Sequence, residues 1–427
     1  MKNKDFEKLN LQLFSFTPHV DPGTPTTEPV NVTTQQSMSP TIKEFYDTFL
    51  LENARESMVF SQLGKKEPIH GSSVEWRKWN TFPKALTPLT EGVIPTGRTF
   101  GMTKINGSAT QHGDYVTISD RLEMEAYDPV IIGATEEMGA AEGETYDTLT
   151  RNILIAGTAV LYAPKVSGGS ETPVISRKAL DKTAILSSKV VDKAATILKK
   201  NKAPKIDGDY VAVIHPSQAF DLREEKGWLD AHIYSDVTPL YNGEIGKLHG
   251  VRFIESNEVK VHRGADLTEG SRTLSVKTAV SASTSVAVKE KITAADATAL
   301  AGKTIADADG NEYEIASATA GNAGSASLTL SAAATIAVNS VLYPTGGGAQ
   351  GLSTYDALFF GKDAFAVIDV EGEGTEMIIK NKGEIGGPLE QFSTVGYKFM
   401  HGAKILYQER MLRVETGSEF SDTDEEN

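Results

Sequence analysis

The 427-residue chain contains no cysteine. That absence removes disulfide staples, thiolate zinc sites, iron–sulfur ligation and thiol nucleophiles together, and it leaves the redox compartment open. Basic residues are scarce beside acidic ones: 42 Lys+Arg stand against 57 Asp+Glu, a formal charge of −15. Broad electrostatic attraction to nucleic acid or to an anionic membrane is therefore not expected. Long apolar runs are missing as well. The apolar cluster Leu9 to Phe16 is interrupted by Asn10, Gln12 and Ser15 and is too short for a secretion signal. Residues 315 to 355 carry no charge, yet Ser, Thr, Gly and Ala dominate them, so they do not read as a membrane span. The chain reads as soluble and intracellular when made. What remains is ordinary globular usage, 40% apolar and 23% charged, enough for a sizeable core and, at about 150 residues each, roughly three domains.

Residues 17 to 40 hold Pro18, Pro22, Pro25, Pro29 and Pro40 among threonines, with almost no large apolar side chains. Such a segment cannot offset its ordering entropy by its own burial, so it reads as an extended arm, either free or laid on a partner. A helix is expected from Ser39 as N-cap to Gly64, turning Ile42, Phe45, Phe49, Phe60 and Leu63 to a core. Alternation at Val74 and Trp76, breaks at Pro83, Pro88 and Pro95, and resumption at Tyr115, Val116 and Ile118 describe a long excursion, out and back. The strongest local signal is Asp128-Pro129 followed by Val130, Ala134, Met138, Ala141, Thr145, Leu149 and Ile153. It predicts one helix from Pro129 to about Ala156, roughly 40 Å long. Gly133, Gly139 and Gly143 would mark close backbone approach there, and Glu136, Glu137, Glu142 and Glu144 a solvated face.

A second helix is expected over Ser176 to Lys200. Strand Tyr210 to Ile214, helix Pro216 to Glu225 and strand Val251 to Glu255 then alternate as in α/β or α+β folds. From Ser271 to Tyr343 the composition shifts: Pro, Phe, Trp, His and Met are all absent. Strand-like runs at Val276 to Ala279, Val286 to Val288, Lys303 to Ala306, Tyr313 to Ser317, Leu328 to Leu330 and Val338 to Leu342 suggest an inserted β-domain. A turn at Asp309-Gly310 and a helix near Ala294 to Ala301 capped by Thr293 complete that reading, and a low-complexity loop is its alternative. Further strand-like runs follow at Ala357 to Phe360, Ala364 to Val370, Met377 to Ile379 and Lys404 to Val414. Glu419, Asp422, Asp424, Glu425 and Glu426 read as a solvated acidic tail.

Chemistry-bearing motifs mostly fail on inspection. The eight histidines include no pair at the HxH or HExxH spacing of a metal site, and no serine stands in G-x-S-x-G. Gly302-Lys303-Thr304 imitates the end of a phosphate loop, but Ala297 stands where its first glycine is needed. Gly346, Gly348 and Gly351 match G-x-G-x-x-G, with little room for the helix that would face a pyrophosphate. Asp307, Asp309 and Asn311 resemble a calcium loop with its glycine misplaced. Trp76 and Trp79 flanking Arg77 and Lys78 fit a half-buried strand better than base stacking. No catalytic, cofactor-binding or metal-binding residue is assigned.

The order of features is itself informative, and particular segments carry a family likeness: Leu9 to Phe14 (LNLQLF), Leu89 to Gly92 (LTEG) with Pro95 and Gly97, and His112 to Asp120 (HGDYVTISD). His215-Pro216, Gly243 to Glu255 (GEIGKLHGVRFIE), Gly361 to Phe365 (GKDAF) and Thr394 to Lys398 (TVGYK) continue it. In this order they resemble tailed-phage major capsid proteins of the Hong Kong 97-type fold. One departure is Gly387 to Gln391 (GPLEQ), where such proteins often show Asp-Pro-Leu-Asn-Gln. The resemblance implies an α+β fold with an N-terminal arm (1–40), a helix (41–64), an extended loop hairpin (65–120), and a spine helix with a peripheral domain (121–175). An axial domain (176–270), the inserted small β-domain (271–343), return strands of both domains (344–415) and an acidic tail (416–427) complete it.

The implied function is that of a non-enzymatic structural subunit, made in the bacterial cytoplasm. Hexamers and pentamers of it would self-assemble into an icosahedral virion capsid around a double-stranded DNA phage genome. Implied partners are further copies of the chain and scaffolding, portal and decoration proteins. Packaged DNA would be touched only weakly and non-specifically, no membrane is involved, and no cofactor is implied. Candidate inter-subunit contacts are Glu91, Gly92, Pro95 and Gly97, where turn residues stand at the far end of the excursion. Two other readings remain open: a bacterial surface or adhesion protein, suggested by the Ala/Thr/Ser-rich insertion, and an enzyme built from dispersed residues.

Overall fold

Three sheets carry the chain. The computed structural model describes residues 58–427 except 70, 72, 81, 95–96, 126–129, 226–243, 371–374, 382–383 and 385–390. The expected arm, most of the first helix, the Asp128-Pro129 cap, Pro95 and most of the Gly387 to Gln391 departure lie outside the described residues.

The first sheet has seven strands, in the order Glu244–Leu248, Val251–Glu255, Tyr210–Ile214, Thr354–Phe360, Met411–Thr416 and Val160–Tyr162, with Val261–His262 pairing onto Thr354–Phe360. Tyr210–Ile214 and Thr354–Phe360 are buried along their whole length, which is why they read as continuous apolar runs rather than as alternation. Ala212, Ile214, Ala357 and Phe359 pack under the helix Ser188–Lys200, against Val190, Val191, Ala194 and Leu198. Val213, Leu358 and Phe360 turn the other way, toward Leu154 near the end of the long helix. The helix expected from Ser176 begins only at Ser188. Asp181 Oδ1 accepts from the Thr183 N–H (2.9 Å) and Ser187 caps Val190 (3.4 Å), so local side-chain bonds claim the backbone that an earlier start would need.

The second sheet runs Lys65–Ile69, Phe365–Val370, Phe392–Ile405, Glu376–Lys380, with Thr110–Ser119 also pairing along Phe392–Ile405. Val395, Tyr397 and Phe399 of the central strand pack with Ile118, Ile131 and Met138 beneath the long helix. The expected strand Lys404 to Val414 proves to be parts of two. Leu406 and Tyr407 both donate to the Ala364 carbonyl (2.9 and 3.0 Å), and the turn Gln408–Arg410 sends Met411–Thr416 into the seven-stranded sheet.

The long helix spans Val130–Ile155, 26 residues. Its buried stripe is Ile131, Thr135, Met138, Glu142, Asp147, Thr150, Arg151 and Leu154, one residue round from the expected apolar stripe, of which only Met138 is fully buried. Glu136, Glu137 and Glu144 are exposed as expected, but Glu142 is completely buried. Gly139 and Gly143 lie in the buried seam, whereas Gly133 faces open space. Among the described residues no helix is long and apolar enough to cross a membrane.

The third sheet orders Leu274–Ser275, Val341–Pro344, Thr304–Ala306, Glu312–Thr319, Ser327–Ile336 and Val280–Ala287. Leu267, Val286, Leu300, Ile305, Ile315, Leu328, Leu330, Ile336 and Leu342 belong to a core cluster of its own. Thr293 and Asp296 form a reciprocal cap on Ala294–Leu300. Asp307 accepts from the N–H groups of Asp309 and Asn311 and from the Tyr313 hydroxyl, so the calcium-like spacing is a satisfied turn. The G-x-G-x-x-G stretch enters a 3-10 turn and a strand. A Cβ on Gly347 or Gly348 would come within 2.3 Å of the Leu352 carbonyl or 2.5 Å of the Leu180 carbonyl, so these glycines permit a tight chain crossing.

The C-terminal segment, expected to be solvated, is hydrogen-bonded to the body. Gly417 N–H bonds the Ala184 carbonyl (2.8 Å), Tyr355 and Ser217 hydroxyls donate to Asp424 (2.7 and 3.0 Å), and the Asn427 side chain pairs with backbone groups of Val261 and Val259 (3.0 and 2.9 Å).

Candidate functional site: the extended loop and its anchorage

Strands Ser73–Trp79 and Met102–Ser108 pair from Ser73↔Ser108 to Trp79↔Met102. On one face Glu75 bridges Arg77 (2.9 Å) and Lys104 (3.2 Å), whose charges hold its carboxyl below the usual range. On the other, Trp76 packs with Ile69, Val74, Ile368, Val370 and Met400. Gly107 makes room for that indole, since a Cβ there would stand 2.5 Å from the ring. Lys78 and Arg410 lie over the Tyr407 ring (4.5 and 3.8 Å to its centre), and Lys78 also pairs with Glu409 (3.4 Å). The base of the loop is therefore clamped to the corner between the first and second sheets.

Beyond this base the loop carries apolar side chains into solvent: Trp79, Phe82, Leu86, Leu89, Val93, Ile94 and Phe100 are each more than half exposed, Ile94 at 94%. Phe100 stacks on Trp79 (4.2 Å) and on Phe82 (5.3 Å), forming a short aromatic ladder. Val93 N–H bonds the Thr90 carbonyl (3.3 Å), and Gly92 takes φ +77°, so Glu91 and Gly92 form the turn at the far end. Gly97 is exposed, with nothing near its Cα. Of the four expected contact residues, three are thus described and all lie on the exposed part of the loop.

The seam under the second sheet is polar where sequence patterning expects apolar groups. Asp147 accepts three N–H bonds, from Val59 (2.7 Å), Phe60 (3.1 Å) and Ser61 (3.1 Å), and so caps the short helix Phe60–Leu63; Met58 and Val59 before it are not helical, so the helix expected from Ser39 to Gly64 does not run unbroken to its end. Burial pushes its carboxyl up, against the pull of those donors. Glu142 has no hydrogen bond of ordinary length, and burial pushes its carboxyl to about 7 against the pull of the nearby Thr375 side chain. Burial likewise lowers His401 to about 4, assisted by His112.

Among the described residues no group of three or more His, Asp and Glu side chains is placed to hold a metal ion. The His215 Nδ1 accepts from the Ser217 N–H (3.2 Å) as a helix cap, while the Ser217 hydroxyl donates to Asp424 (3.0 Å). Among the described residues no carboxylate is hydrogen-bonded to that imidazole to orient it as a base toward serine. Two buried carboxylates near the first sheet have partners: Glu415 takes the fork of Arg177 (2.7 and 2.9 Å) and Arg413 (2.9 Å), and Asp356 Oδ2 lies 2.9 Å from His262 Nε2.

The family model described as phage capsid protein matches residues 103–280, from the returning strand of the extended loop into the third sheet. No curated protein matches the chain. The capsid of cyanophage P-SCSP1u is 14% identical over 84% of this chain and 88% of its own, with a TM-score of 0.50, and shows the shared fold. The capsid of Ralstonia phage GP4 is 13% identical, covering 96% of this chain and all of its own (TM-score 0.49), and the cyanophage Pam1 capsid is 12% identical, covering 94% and 99% (TM-score 0.49).

The chain is thus similar to phage capsid proteins over residues 103–280 of its sequence and in its mixed α+β fold.

Proposed function

We propose that the chain builds an icosahedral, Hong Kong 97-type shell of hexamers and pentamers around a double-stranded DNA genome, and that it catalyses no reaction and needs no cofactor. The observation that carries the arrangement is the apolar ridge from Trp79 to Met102. Leu86 (82%), Leu89 (79%) and Ile94 (94%) stand in solvent in the single chain. Large exposed apolar side chains crowded on one loop mark a surface that a partner covers. In a shell that partner is a neighbouring copy, reached by a loop whose base is rigidly anchored, with Glu91, Gly92, Pro95 and Gly97 at the contact.

The Pro-rich arm, residues 1–40, serves assembly in the same way, because its sequence supplies no core-forming pattern. Residues 271–343 form a separately folding domain on the outer side, where it leaves the packaged genome unobstructed; the private core cluster supports this. Residues 121–175 belong to a peripheral domain and 176–270 to an axial one, with return strands of both in 344–415. Scaffolding, portal and decoration proteins are the expected further partners, and synthesis takes place in the bacterial cytoplasm. Hydrogen exchange compared between free subunits and shells seen by negative-stain microscopy tests the contact. Protection should rise over residues 85–105, and unchanged exchange there would overturn the assignment.

A further inference from the structure

The six-stranded sheet joins the body through two chain segments that lie side by side. Val261 and His262 leave the first sheet paired with Tyr355 and Thr354, which return to it. Gly264 then crosses the returning chain so closely that a Cβ there would stand 2.5 Å from the Thr345 carbonyl oxygen and 2.6 Å from the Pro344 Cβ. The returning chain runs Gly346-Gly347-Gly348, with Gly346 at φ +124°, so its own conformation does little to hold it to one path. The C-terminal segment grips both sides of this neck. On the returning side the Ser353 N–H donates to the Asp422 carbonyl (2.9 Å) and the Ser353 hydroxyl to the Asp424 carbonyl (2.7 Å). The Asp424 carboxylate accepts from the hydroxyls of Tyr355 (2.7 Å), Ser421 (2.6 Å) and Ser217 (3.0 Å). On the leaving side Asn427 Oδ1 accepts from the Val261 N–H (3.0 Å), and its Nδ2 donates to the carbonyls of Val259 (2.9 Å) and Asn257 (3.1 Å). Glu426 pairs with Lys260 (3.0 Å). The buried Arg151 of the long helix donates to the Asn427 backbone oxygen (3.3 Å) and to the Glu258 carbonyl (2.8 Å).

We propose that residues 417–427 are a clasp that holds the two-stranded neck and thereby fixes the orientation of the six-stranded sheet on the body. That sheet has a core cluster of its own, so what the neck governs is where the sheet points. Two other contacts tie it down. The Ala349 N–H donates to the Leu180 carbonyl (2.6 Å), and Lys178 pairs with Glu312. The Lys178 side chain is mostly exposed, and a surface pair of that kind contributes little. The clasp adds hydrogen bonds to a carboxylate, which are the stronger sort, and it ends on the long helix through Arg151. It belongs to the single subunit and is independent of the shell reading.

The test uses the full-length, unassembled subunit. The chain has no cysteine, so Ser281→Cys and Lys200→Cys, both at exposed positions, give a single spin-labelled pair spanning the six-stranded sheet and the body. With the clasp intact the pair should show one narrow distance distribution. Adding Asp424→Ala and Asn427→Ala should broaden it. Amide exchange over residues 258–264 and 345–355 should quicken about tenfold, while Glu312–Thr319 and Tyr210–Ile214 keep their protection. An unchanged distribution overturns the proposal. Exchange that quickens equally in those two strands also overturns it, because the segment would then support the whole fold rather than the neck. Asn427 is exposed, so Asn427→Ala alone serves should the combined variant fail to fold: faster exchange over residues 258–264 is expected, and unchanged exchange there overturns the clasp.

Discussion

Glu142 and His401 are buried groups whose titration pulls in opposite directions across the same seam. The folded-state value of Glu142, about 7, stands above the ordinary 4.5. Between those values the unfolded chain gives up the proton while the folded chain keeps it, so stability falls as pH rises from about 4.5, and the loss is complete above about 7. A shift of this size corresponds to about 3 kcal/mol. His401 behaves conversely: lowered to about 4 from 6.5, it contributes fully above 6.5 and loses that contribution as pH falls toward 4. Glu142→Gln should therefore match the wild type closely at pH 5 and exceed it at pH 8, read from urea midpoints. Parallel wild-type and variant profiles from pH 5 to 8 would exclude Glu142 as the source. Neither group was legible in the sequence. Glu142 sits among acidic helix residues that are exposed, and a one-residue rotation of the buried stripe alone separates it from them. Asp147 was invisible for a related reason: the N–H groups it accepts from lie 86 to 88 residues away, and no local pattern encodes such a contact.

At the scale of elements, legibility followed how local the stabilising bonds are. The Thr293 cap, the Asp307 turn and the strands of the third sheet were readable because capping, turn chemistry and alternation act over a few residues. The strand Phe392–Ile405 was not read apart from Lys404 and Ile405 at its end, since Gly396 and Gly402 interrupt its pattern. A Cβ on Gly396 would stand 2.7 Å from the Tyr115 Cβ, and one on Gly402 2.5 Å from the Ser108 carbonyl, so packing demands residues that strand propensity disfavours. The six-stranded sheet, with its own core, gives the sharpest test at this scale. Replacing residues 271–343 by a short Gly/Ser linker should leave shells that form, and the excised segment expressed alone should melt cooperatively. Failure of both would mean that this sheet draws its stability from the other two. The loop is tested separately by Leu89→Asp with Ile94→Asp. Both positions are exposed in the single chain, so subunit stability should change by no more than about 0.5 kcal/mol while shell yield falls. A loss of subunit stability instead would place these side chains in the subunit's own fold.

For the whole molecule, the joining of distant strands was beyond local patterning: the seven-stranded sheet gathers segments from Val160–Tyr162 to Met411–Thr416. Net charge, by contrast, is exact from the sequence, and it bears directly on assembly. Each subunit carries −15, so copies brought together in a shell repel one another, and duplex DNA is repelled as well. In the proposed shell the attraction that opposes this repulsion is largely apolar along the loop, and salt does not weaken apolar burial. Raising ionic strength shortens the screening length to about 8 Å at 0.15 M. Repulsion between exposed charges should therefore shrink while the loop contact holds. The critical concentration for shell formation should fall as sodium chloride is raised from about 50 to 300 mM, followed by light scattering. Over the same range the free subunit should bind duplex DNA no more tightly than the micromolar level. A critical concentration that climbs with salt would mean that ion pairs between subunits, rather than the apolar ridge, hold the shell together.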